Sequence, residues 1–437
     1  MNATSSNRAT FGGRIAAVLA AAGSAIGLGN VWRFPGVADA NGGGAFIIIY
    51  IVCVALMGLP LMVAEFSIGR HTRSNPVGAF RAIDRRWGWL GAMAVATVFL
   101  ILGYYFVVSG WTVAYVVNSA AGRVDSTFFA RFITDPWQPL LYTAAFIAVN
   151  HYIVERGVKQ GIERASKILM PIFFAILLAL AVYSLSMPDS SQAIRKVLTP
   201  DFGAVDASTV LAALSQAFFS LSIGMGIMIT YGSYFKSETR LLPTAVNVAL
   251  LDTLAAVIAS IVILSAGVGD QSGSTLAFVA LPEVFEGLPW GGFWSTLFFV
   301  LLALAAILST VSIHEVVTVY LSEQRGMTRR RAARCVSAGA ALLAVAASLS
   351  MGAWDDIRIF GRNIFDALDS LTATLLLPAS GLLTCIFAGW IWDRRQFRGE
   401  VARSGGIDAK MFPTVGFLLR WVCPPLVAAL FVFGLID

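Results

Sequence analysis

The sequence predicts an all-α integral membrane protein of eleven transmembrane helices, with two inverted repeats of five helices and discontinuous first and sixth helices. Three observations lead to this fold class. Of the 437 residues, 57% are hydrophobic and 13% are charged, whereas soluble domains carry about 25% charged residues. Apolar stretches long enough to cross about 30 Å of hydrocarbon recur along the whole chain. Two of these stretches contain glycine clusters where a membrane helix should be most regular.

The apolar stretches set the order of the elements. Each is long enough for a helix to cross a bilayer, which takes about 17–25 residues. They lie at roughly 14–38, 44–69, 88–121, 138–154, 163–186, 209–235, 243–268, 292–323, 332–350, 365–392 and 411–435.

Basic residues are distributed unevenly between the connections. Counted from the N-terminus, most of the 31 lysines and arginines fall in the tail and in every second connection, while 270–290 has none. This positive-inside pattern places the N-terminus in the cytoplasm and, with eleven spans, the C-terminus outside. The pI of about 9.3 therefore reflects topology and does not indicate a nucleic-acid partner. The predicted units are a cytoplasmic tail (1–13), a first repeat (14–186), an extracellular loop (187–208), a second repeat (209–392), a cytoplasmic loop (393–410) and an eleventh helix with an extracellular C-terminus (411–437).

Residues suited to catalysis or metal binding are sparse. The four cysteines are scattered over predicted spans without the spacing of a disulfide framework or a zinc site. The sequence HEVVT at 314–318 is similar to a zinc-protease motif, but Thr318 stands where the second histidine is required. No nucleophile–base pair is apparent, so the sequence predicts that the protein is not an enzyme.

Two glycine clusters interrupt the first and sixth apolar stretches. Each glycine weakens a helix by up to about 1 kcal/mol relative to alanine, although small residues are also common where membrane helices pack closely. The clusters occupy corresponding positions in the two halves, which is typical of inverted-repeat transporters that bind substrate near the bilayer midplane. There, free N–H groups attract an anion, and unwound carbonyls coordinate a cation. The residues are Gly23, Gly27, Gly29, Asn30, Arg33 and Pro35 in the first cluster, and Ser220, Ser222, Gly224, Gly226 and Gly232 in the second.

Four longer segments carry a specific resemblance. GSAIGLGNVWRFP (23–35), NGGGAFIIIY (41–50), YYFVVSGW (104–111) and QAFFSLSIGMGIMITYGSY (216–234) occur in this order. Over its whole length the chain resembles the neurotransmitter:sodium symporter family, and within it the bacterial amino-acid transporters. The resemblance implies a protein of the cytoplasmic (inner) membrane that carries an amino acid into the cell together with Na+, by alternating access in the lipid bilayer.

The resemblance implies a first Na+ site in the first broken helix. Its ligands would be the Ala25 carbonyl, the Asn30 side chain, Ser220 and Asp252, and the carboxylate of the substrate would complete it. Family members commonly have asparagine at the position of Asp252. A charge in the bilayer interior is costly, so an intramembrane aspartate needs a partner, and a sodium ion would serve. An aspartate bonded to backbone is the alternative explanation.

The residues around Asp252 also indicate whether the protein requires chloride. Animal members that require chloride bind it through four positions, of which Tyr50, Gln216 and Ser220 match here, while the fourth is Ala256. A fixed carboxylate at Asp252 would supply the negative charge that chloride otherwise brings. The sequence therefore predicts no chloride requirement.

A second Na+ site follows from the resemblance but departs from the family pattern. One of its usual hydroxyl or carboxylate positions falls on Leu308, whose side chain has no oxygen. Either the site persists without that ligand, or Thr310 replaces it after a local shift, or the site is impaired, so one or two sodium ions are expected. The matching residues are Gly23, Ile26, Ala305 and Ser309.

The substrate positions carried over from the family are mostly apolar. Gly27 stands where monoamine transporters have an aspartate, which leaves room for a ligand with its own carboxylate. A flexible methionine at 225 adapts to varied shapes, so hydrophobic and aromatic L-amino acids are the expected substrates. The substrate-binding residues would be Ala25, Leu28, Gly29, Ile101, Tyr105, Phe219, Ser220, Ser222, Met225, Ser309 and Ile313.

Two charged pairs match the gates of the family. Arg33 and Asp369 resemble the outer pair, and Arg8 and Glu323 resemble the inner pair. The tryptophan of the inner gate is Phe11 here. Solvated charge near the membrane surface is the alternative explanation for the inner pair.

Two other functions stay open at this stage. Proton coupling would use Asp252 or Glu65, although Glu65 also resembles a carboxylate that supports the unwound backbone. A non-transporting amino-acid sensor would keep the binding site without the transport cycle. Replacement of sodium separates the first from sodium symport, and binding without uptake would mark the second.

Overall fold

The computed structural model describes residues 8–268, 271 and 273–436. The first seven residues of the predicted tail and Asp437 lie outside this part. The described residues form helices and no β-strand, with isolated bridges between Gly43 and Pro200 and between Ile359 and Arg362. The prediction of an all-α protein is confirmed.

The longer helices and the halves of the interrupted helices are numbered along the chain. They are α1 (Arg14–Ala25), α2 (Gly29–Ala40), α3 (Gly44–Thr72), α4 (Arg85–Ala120), α5 (Gln138–Glu155), α6 (Val158–Ser184), α7 (Ala207–Ser220), α8 (Ile227–Gly232), α9 (Leu241–Ser265), α10 (Gly291–Gln324), α11 (Arg329–Leu349), α12 (Ile364–Ile391) and α13 (Gly406–Leu435). Short helices in the connections are Pro76–Ile83, Phe128–Thr134, Ser190–Leu198, Leu281–Glu286 and Arg394–Val401.

Among the described residues, eight helices are long and apolar enough to cross a membrane, and nine when α1 and α2 count as one bent span. Two of the predicted spans fall outside this number. The stretch 138–154 corresponds to α5, and the stretch 209–235 is divided between α7 and α8, which are too short to cross alone. A membrane-spanning helical bundle is therefore established, while eleven spans and inverted repeats stay predictions.

The first break lies between α1 and α2, whose axes meet at 54°. Its backbone turns at Ile26, which is extended at φ −71° and ψ 98°. Gly27 and Gly29 do not adopt positive φ, so the glycines are not needed for an unusual backbone conformation here. Gly27 instead provides space, because a Cβ atom at this position would lie 2.9 Å from the Ser309 hydroxyl.

The second break separates α7 from α8. Gly224 and Gly226 adopt positive φ values of 77° and 68°, a conformation that glycine tolerates without steric cost. Ser222 also has a positive φ, of 53°. The unwound backbone is supported from α3, where the buried carboxylate of Glu65 accepts the Gly224 N–H at 2.7 Å. This contact agrees with the role expected of Glu65, because an unpaired N–H in the bundle interior would be costly.

The two breaks lie beside one another in the middle of the bundle. The Ser222 hydroxyl in the second break donates to the Ser24 carbonyl of the first at 3.0 Å. Around them, α1 packs on α9 and α10, and α10 packs along α4. This packing places side chains from α4, α9 and α10 around the exposed backbone of both breaks.

Candidate binding site between the broken helices

A cavity of about 40 Å³ lies between the two breaks. Ten of the eleven predicted substrate residues line it, and Leu28 contributes instead through its backbone next to Tyr105. The cavity also includes Ser24, which the sequence reasoning missed. The lining is Ser24, Ala25, Gly27, Gly29, Asn30, Ile101, Tyr105, Phe219, Ser220, Ser222, Met225, Ser309 and Ile313.

One end of the cavity is polar. The Leu28 N–H lies 3.3 Å from the Tyr105 hydroxyl, so the two groups expected to meet a carboxylate are neighbours. The Asn30 side-chain oxygen accepts the Gly27 N–H at 3.0 Å, which closes the break locally. A side chain at position 27 would meet the Tyr105 hydroxyl at 3.2 Å, so glycine keeps this end accessible.

The opposite end is apolar. Ile101 from α4, Met225 from the second break and Ile313 from α10 are buried there, and Phe219 covers it from α7. Because these side chains offer no hydrogen-bonding groups beyond a weak thioether acceptor, this end suits a hydrophobic group.

A cluster of oxygen atoms lies next to the cavity around Asp252, which is fully buried in α9. Asn30 donates from its side-chain nitrogen to one carboxylate oxygen at 2.8 Å, and Tyr50 donates to the other at 2.8 Å. The Ser220 hydroxyl lies within 2.9 Å of both oxygens. The three predicted side chains of the first Na+ site are thus brought together, and the Ala25 carbonyl belongs to the adjoining cavity wall. Ser220, Asp252 and the Ala25 carbonyl provide hard oxygen atoms of the kind that suit an alkali cation, whereas Asn30 points its side-chain nitrogen toward Asp252 and its oxygen toward the Gly27 N–H.

The region of the second predicted Na+ site is less polar. The Ser309 hydroxyl lies 3.3 Å from the Ile26 carbonyl and Ala305 is buried beside it, but the Leu308 side chain packs against Gly23, where a Cβ would lie 3.2 Å away. Thr310 does not compensate. Its hydroxyl donates to the Ala306 carbonyl at 2.7 Å and accepts from Asn150 at 2.8 Å. Thr310 lies two residues after Leu308, about 200° around the helix, so its side chain points away from the Leu308 position.

The outer pair is not joined by an ion pair. In the described chain no carboxylate lies within 4 Å of Arg33, which donates to the Ser215 hydroxyl at 3.3 Å. Its guanidinium lies 5.7 Å from the centre of the Phe219 ring, and Asp369 is near enough to act on it electrostatically. Arg33 and Asp369 are therefore close enough to interact electrostatically but do not form an ion pair.

The inner pair is formed. Arg8 makes an ion pair with Glu323, donates to the Ser233 hydroxyl at 2.8 Å and lies over the Tyr234 ring. Glu323 also accepts the backbone N–H of Asn75 at 2.9 Å. These contacts join the tail, the connection after α3, the end of α8 and the end of α10.

Phe11, which stands where the family has a tryptophan, packs next to the Arg8–Glu323 pair through its aromatic ring. Its ring meets Tyr231 and Tyr234 edge to face, at 5.7 and 5.8 Å between ring centres. Its N–H donates to the Tyr234 carbonyl at 3.0 Å. The tail is therefore held against α8 although the tryptophan of the family is absent.

Sequence reasoning missed Ser24 and Ser215. Ser24 directly precedes Ala25 in the first cluster, so its proximity to the break was a usable signal. Ser215 carries no such signal, because its contact with Arg33 joins residues 182 positions apart.

Two interrupted helices that enclose a cavity with one polar and one apolar end, within an apolar helical bundle, define a secondary transporter. Comparison with known proteins agrees. The sequence profile of the Sodium:neurotransmitter symporter family matches residues 8–127 and 131–437. The chain belongs to this family.

Individual relatives extend the comparison. The uncharacterized sodium-dependent transporter YhdH of Bacillus subtilis (strain 168) is 33% identical over 424 residues, which cover 94% of each chain. The uncharacterized sodium-dependent transporter MJ1319 of Methanocaldococcus jannaschii is 31% identical over 428 residues, 92% of this chain and 85% of that protein. The crystal structure of MhsT in complex with L-phenylalanine is similar at a TM-score of 0.88 and 39% identity, covering 98% of this chain and 100% of that one.

These findings confirm several predictions. The family resemblance is correct, and the relatives are transporters, so the prediction that the chain is not an enzyme is also correct. Family membership together with the apolar helices supports a multi-pass membrane protein that uses Na+ and transports a small molecule of the amino-acid class.

Proposed function

We propose that this protein takes up hydrophobic and aromatic L-amino acids together with Na+, without a chloride requirement, by alternating access. The observation that carries the proposal is the cavity between the breaks, where Leu28 and Tyr105 form a polar end and Met225 and Ile313 an apolar end. A ligand with a charged backbone and an apolar side chain matches both ends.

The substrate carboxylate would lie against the N–H groups of Leu28 and Gly29 and the hydroxyl of Tyr105. A helix N-terminus favours an anion because its first N–H groups are unpaired and its dipole is positive. The substrate ammonium would meet the carbonyls of Ala25 and Phe219 and the Ser222 hydroxyl. This orientation sends the side chain to the apolar end.

The apolar end favours large hydrophobic side chains. Met225 can change rotamer to fit rings or branched chains, and Ile101 and Ile313 contribute only aliphatic contact. The likeness to MhsT, which was crystallised with L-phenylalanine, supports the aromatic part of this range.

Sodium would bind next to the substrate, held by Asn30, Ser220, Asp252 and the Ala25 carbonyl. The hydroxyls of Tyr50 and Ser220, at positions that bind chloride in animal relatives, both lie within 2.9 Å of the Asp252 carboxylate. That carboxylate supplies a fixed negative charge, which supports chloride independence. The packing of Leu308 on Gly23 supports one tightly bound sodium ion rather than two.

Eleven spans in two inverted repeats would arrange this site at the midplane. The arginine-rich start of α11 and the connection before α13 would face the cytoplasm, as would Arg8. The C-terminus would then face the outside.

Coupling would follow from shared coordination. The substrate carboxylate completes the sodium site, so each ligand raises the affinity for the other by the same factor. One sodium ion entering down a tenfold gradient supplies about 1.4 kcal/mol, and a potential of 100 mV adds about 2.3 kcal/mol. Together these permit accumulation of a zwitterion by several hundredfold.

Uptake into proteoliposomes tests the proposal. Labelled tryptophan, tyrosine, leucine and alanine would be supplied with sodium or potassium outside, each with chloride or gluconate. Accumulation of the hydrophobic amino acids only with sodium, unchanged in gluconate, is expected. Uptake driven by a proton gradient without sodium would favour proton coupling, and sodium-dependent binding without accumulation would favour a sensor.

A further inference from the structure

A cavity much larger than the one between the breaks lies on the outside of the bundle, between α5 and α11. It has a volume of about 490 Å³ and is separate from the substrate site. We call it the α5–α11 groove, lined by Leu140, Thr143, Ala144, Ile147, Ala148, His151, Arg334, Ser337, Ala341, Ala344 and Val345.

Small side chains at helical spacing on both helices form the floor of the groove. Ala144 and Ala148 are one turn apart on α5, and Ala341 and Ala344 are three residues apart on α11. Such spacing places each pair on one face of its helix. Large side chains flank the groove, with Leu141 69% and Leu342 74% exposed, so in a membrane the groove opens toward lipid.

One end of the groove is polar and positively charged. Arg334 lies there, one turn after Arg330 and Arg331 on α11. Glu155 compensates in part, at 3.5 Å from Arg330 and 3.5 Å from His151. Among the described residues, neither Arg331 nor Arg334 has a carboxylate within 4 Å. A net positive charge therefore remains at the mouth of an otherwise apolar groove.

The polar end is held in place by a chain of hydrogen bonds into the bundle. His151 lies 3.0 Å from the Ser337 hydroxyl, which lies 2.9 Å from His314, and His314 lies 2.9 Å from Thr318. His151 is thus fixed between Ser337 and Glu155. The His151 ring therefore forms a polar part of the groove lining. The Arg334 side chain is exposed and can reach a ligand in the groove.

We infer that the α5–α11 groove binds a phospholipid with an anionic headgroup. An acyl chain would follow the alanine-lined floor, and the phosphate would meet Arg334 and Arg331. Basic pockets between membrane helices are suited to anionic headgroups, and each arginine near the surface contributes about 1 kcal/mol, or a factor of about five in affinity. Under the proposed orientation this lipid would belong to the cytoplasmic leaflet.

Native mass spectrometry of the purified protein in detergent tests the inference. Phosphatidylglycerol and phosphatidylcholine of equal chain length would be titrated separately. The wild-type protein is expected to retain phosphatidylglycerol several times more tightly. Arg334→Gln should weaken phosphatidylglycerol about fivefold and leave phosphatidylcholine unchanged, and Ala148→Leu should weaken both lipids by filling the floor.

Two matched controls complete the design. Arg398→Gln removes an exposed arginine of the connecting helix Arg394–Val401, and Ala145→Leu enlarges an exposed alanine of α5 outside the groove. Equal retention of both lipids by the wild type, or equal effects of Arg334→Gln and Arg398→Gln, would overturn the inference. A dimer that Ala148→Leu abolishes would also overturn it, because a second copy would then occupy the groove. Since lipid retention is measured without transport, its failure would leave the symport proposal standing.

Discussion

Gly27 lies beside the Tyr105 hydroxyl in the proposed substrate cavity. We expect Gly27→Ala to lower substrate affinity at least tenfold, because the new Cβ would lie 2.9 Å from Ser309 and 3.2 Å from Tyr105. Thermal stability should change little, since the backbone there does not require positive φ. Scintillation proximity binding with labelled tryptophan measures the effect.

The matched control is Gly29→Ala in the same break. A Cβ at that position would meet only the Phe219 ring at 3.7 Å, an ordinary contact, so affinity should stay within about threefold, less than 1 kcal/mol. Equal losses in both variants would show that loss of glycine, rather than the crowding of Tyr105, is responsible.

Asp252 is the charge expected to hold sodium. Asp252→Asn keeps the shape of the side chain but removes its charge, and we expect the sodium concentration for half-maximal binding to rise at least tenfold, or about 1.4 kcal/mol. A sodium titration of substrate binding measures this. The exposed Asp355→Asn, which leaves the cavity untouched, should match the wild type, and an unchanged sodium response in Asp252→Asn would exclude Asp252 as a ligand.

Leu308 is the residue on which the proposal of a single sodium ion rests. With Leu308 against Gly23 and Thr310 bonded to Asn150, we expect a Hill coefficient for sodium of about 1, because cooperativity cannot exceed the number of sites. Leu308→Thr should raise it toward 2 by adding a hydroxyl. Leu304→Thr on the same helix is the control, and a wild-type coefficient near 2 would show that the second site binds without this ligand.

At the scale of elements, the helix Arg394–Val401 is tied to the end of α3. Buried Arg70 donates to the Glu400 side chain at 2.5 Å, and His71 lies 3.4 Å from the other carboxylate oxygen. Burial raises the pKa of the Glu400 carboxyl, but the hydrogen bond from His71 and the charge of Arg70 outweigh it and hold that pKa below its ordinary value. This ion pair connects two segments 330 residues apart.

A pH dependence of stability follows. A carboxyl with a lowered folded-state pKa stabilises the fold above its unfolded pKa, and this contribution is lost as pH falls through the folded value. Glu400→Gln should therefore lower the melting temperature at pH 7, because breaking a buried ion pair costs about 3 kcal/mol. In the variant, the melting temperature should also fall less steeply between pH 7 and acid pH than it does in the wild type. Melting in detergent from pH 7 to pH 3 measures both, and the exposed Glu286→Gln should behave as wild type. A variant that melts like wild type at pH 7 would contradict the role of this pair.

At the scale of the whole molecule, Arg8 joins the tail to Ser233, Tyr234 and Glu323, and under the proposed alternating access these contacts would hold the inner side closed. Arg8→Ala should favour opening toward that side, so uptake should fall at least tenfold while substrate binding in detergent falls less. Parallel uptake and binding measurements separate the two. The exposed Arg14→Ala should affect neither, and equal loss of binding and uptake in Arg8→Ala would point to a folding defect instead.

Much of the site could be predicted because its residues are local to the two breaks. Ala25, Gly29 and Asn30 lie within six residues of one another, and Phe219 to Met225 within seven, so motif and function coincide in short segments. Ile101, Asp252 and Ile313 were reached only through the resemblance, since nothing in their own neighbourhoods indicates a binding site.

The sequence by itself determined the helical membrane-protein class, the positions of both breaks and the cavity residues that lie next to those breaks, because hydropathy and glycine clusters act over a few residues. The tertiary structure decided which distant groups meet. It turned Arg33 toward Ser215 rather than into an ion pair with Asp369, bonded Thr310 to Asn150, and opened the α5–α11 groove. Those outcomes depend on the rotation and packing of helices far apart in the chain, which no local pattern records.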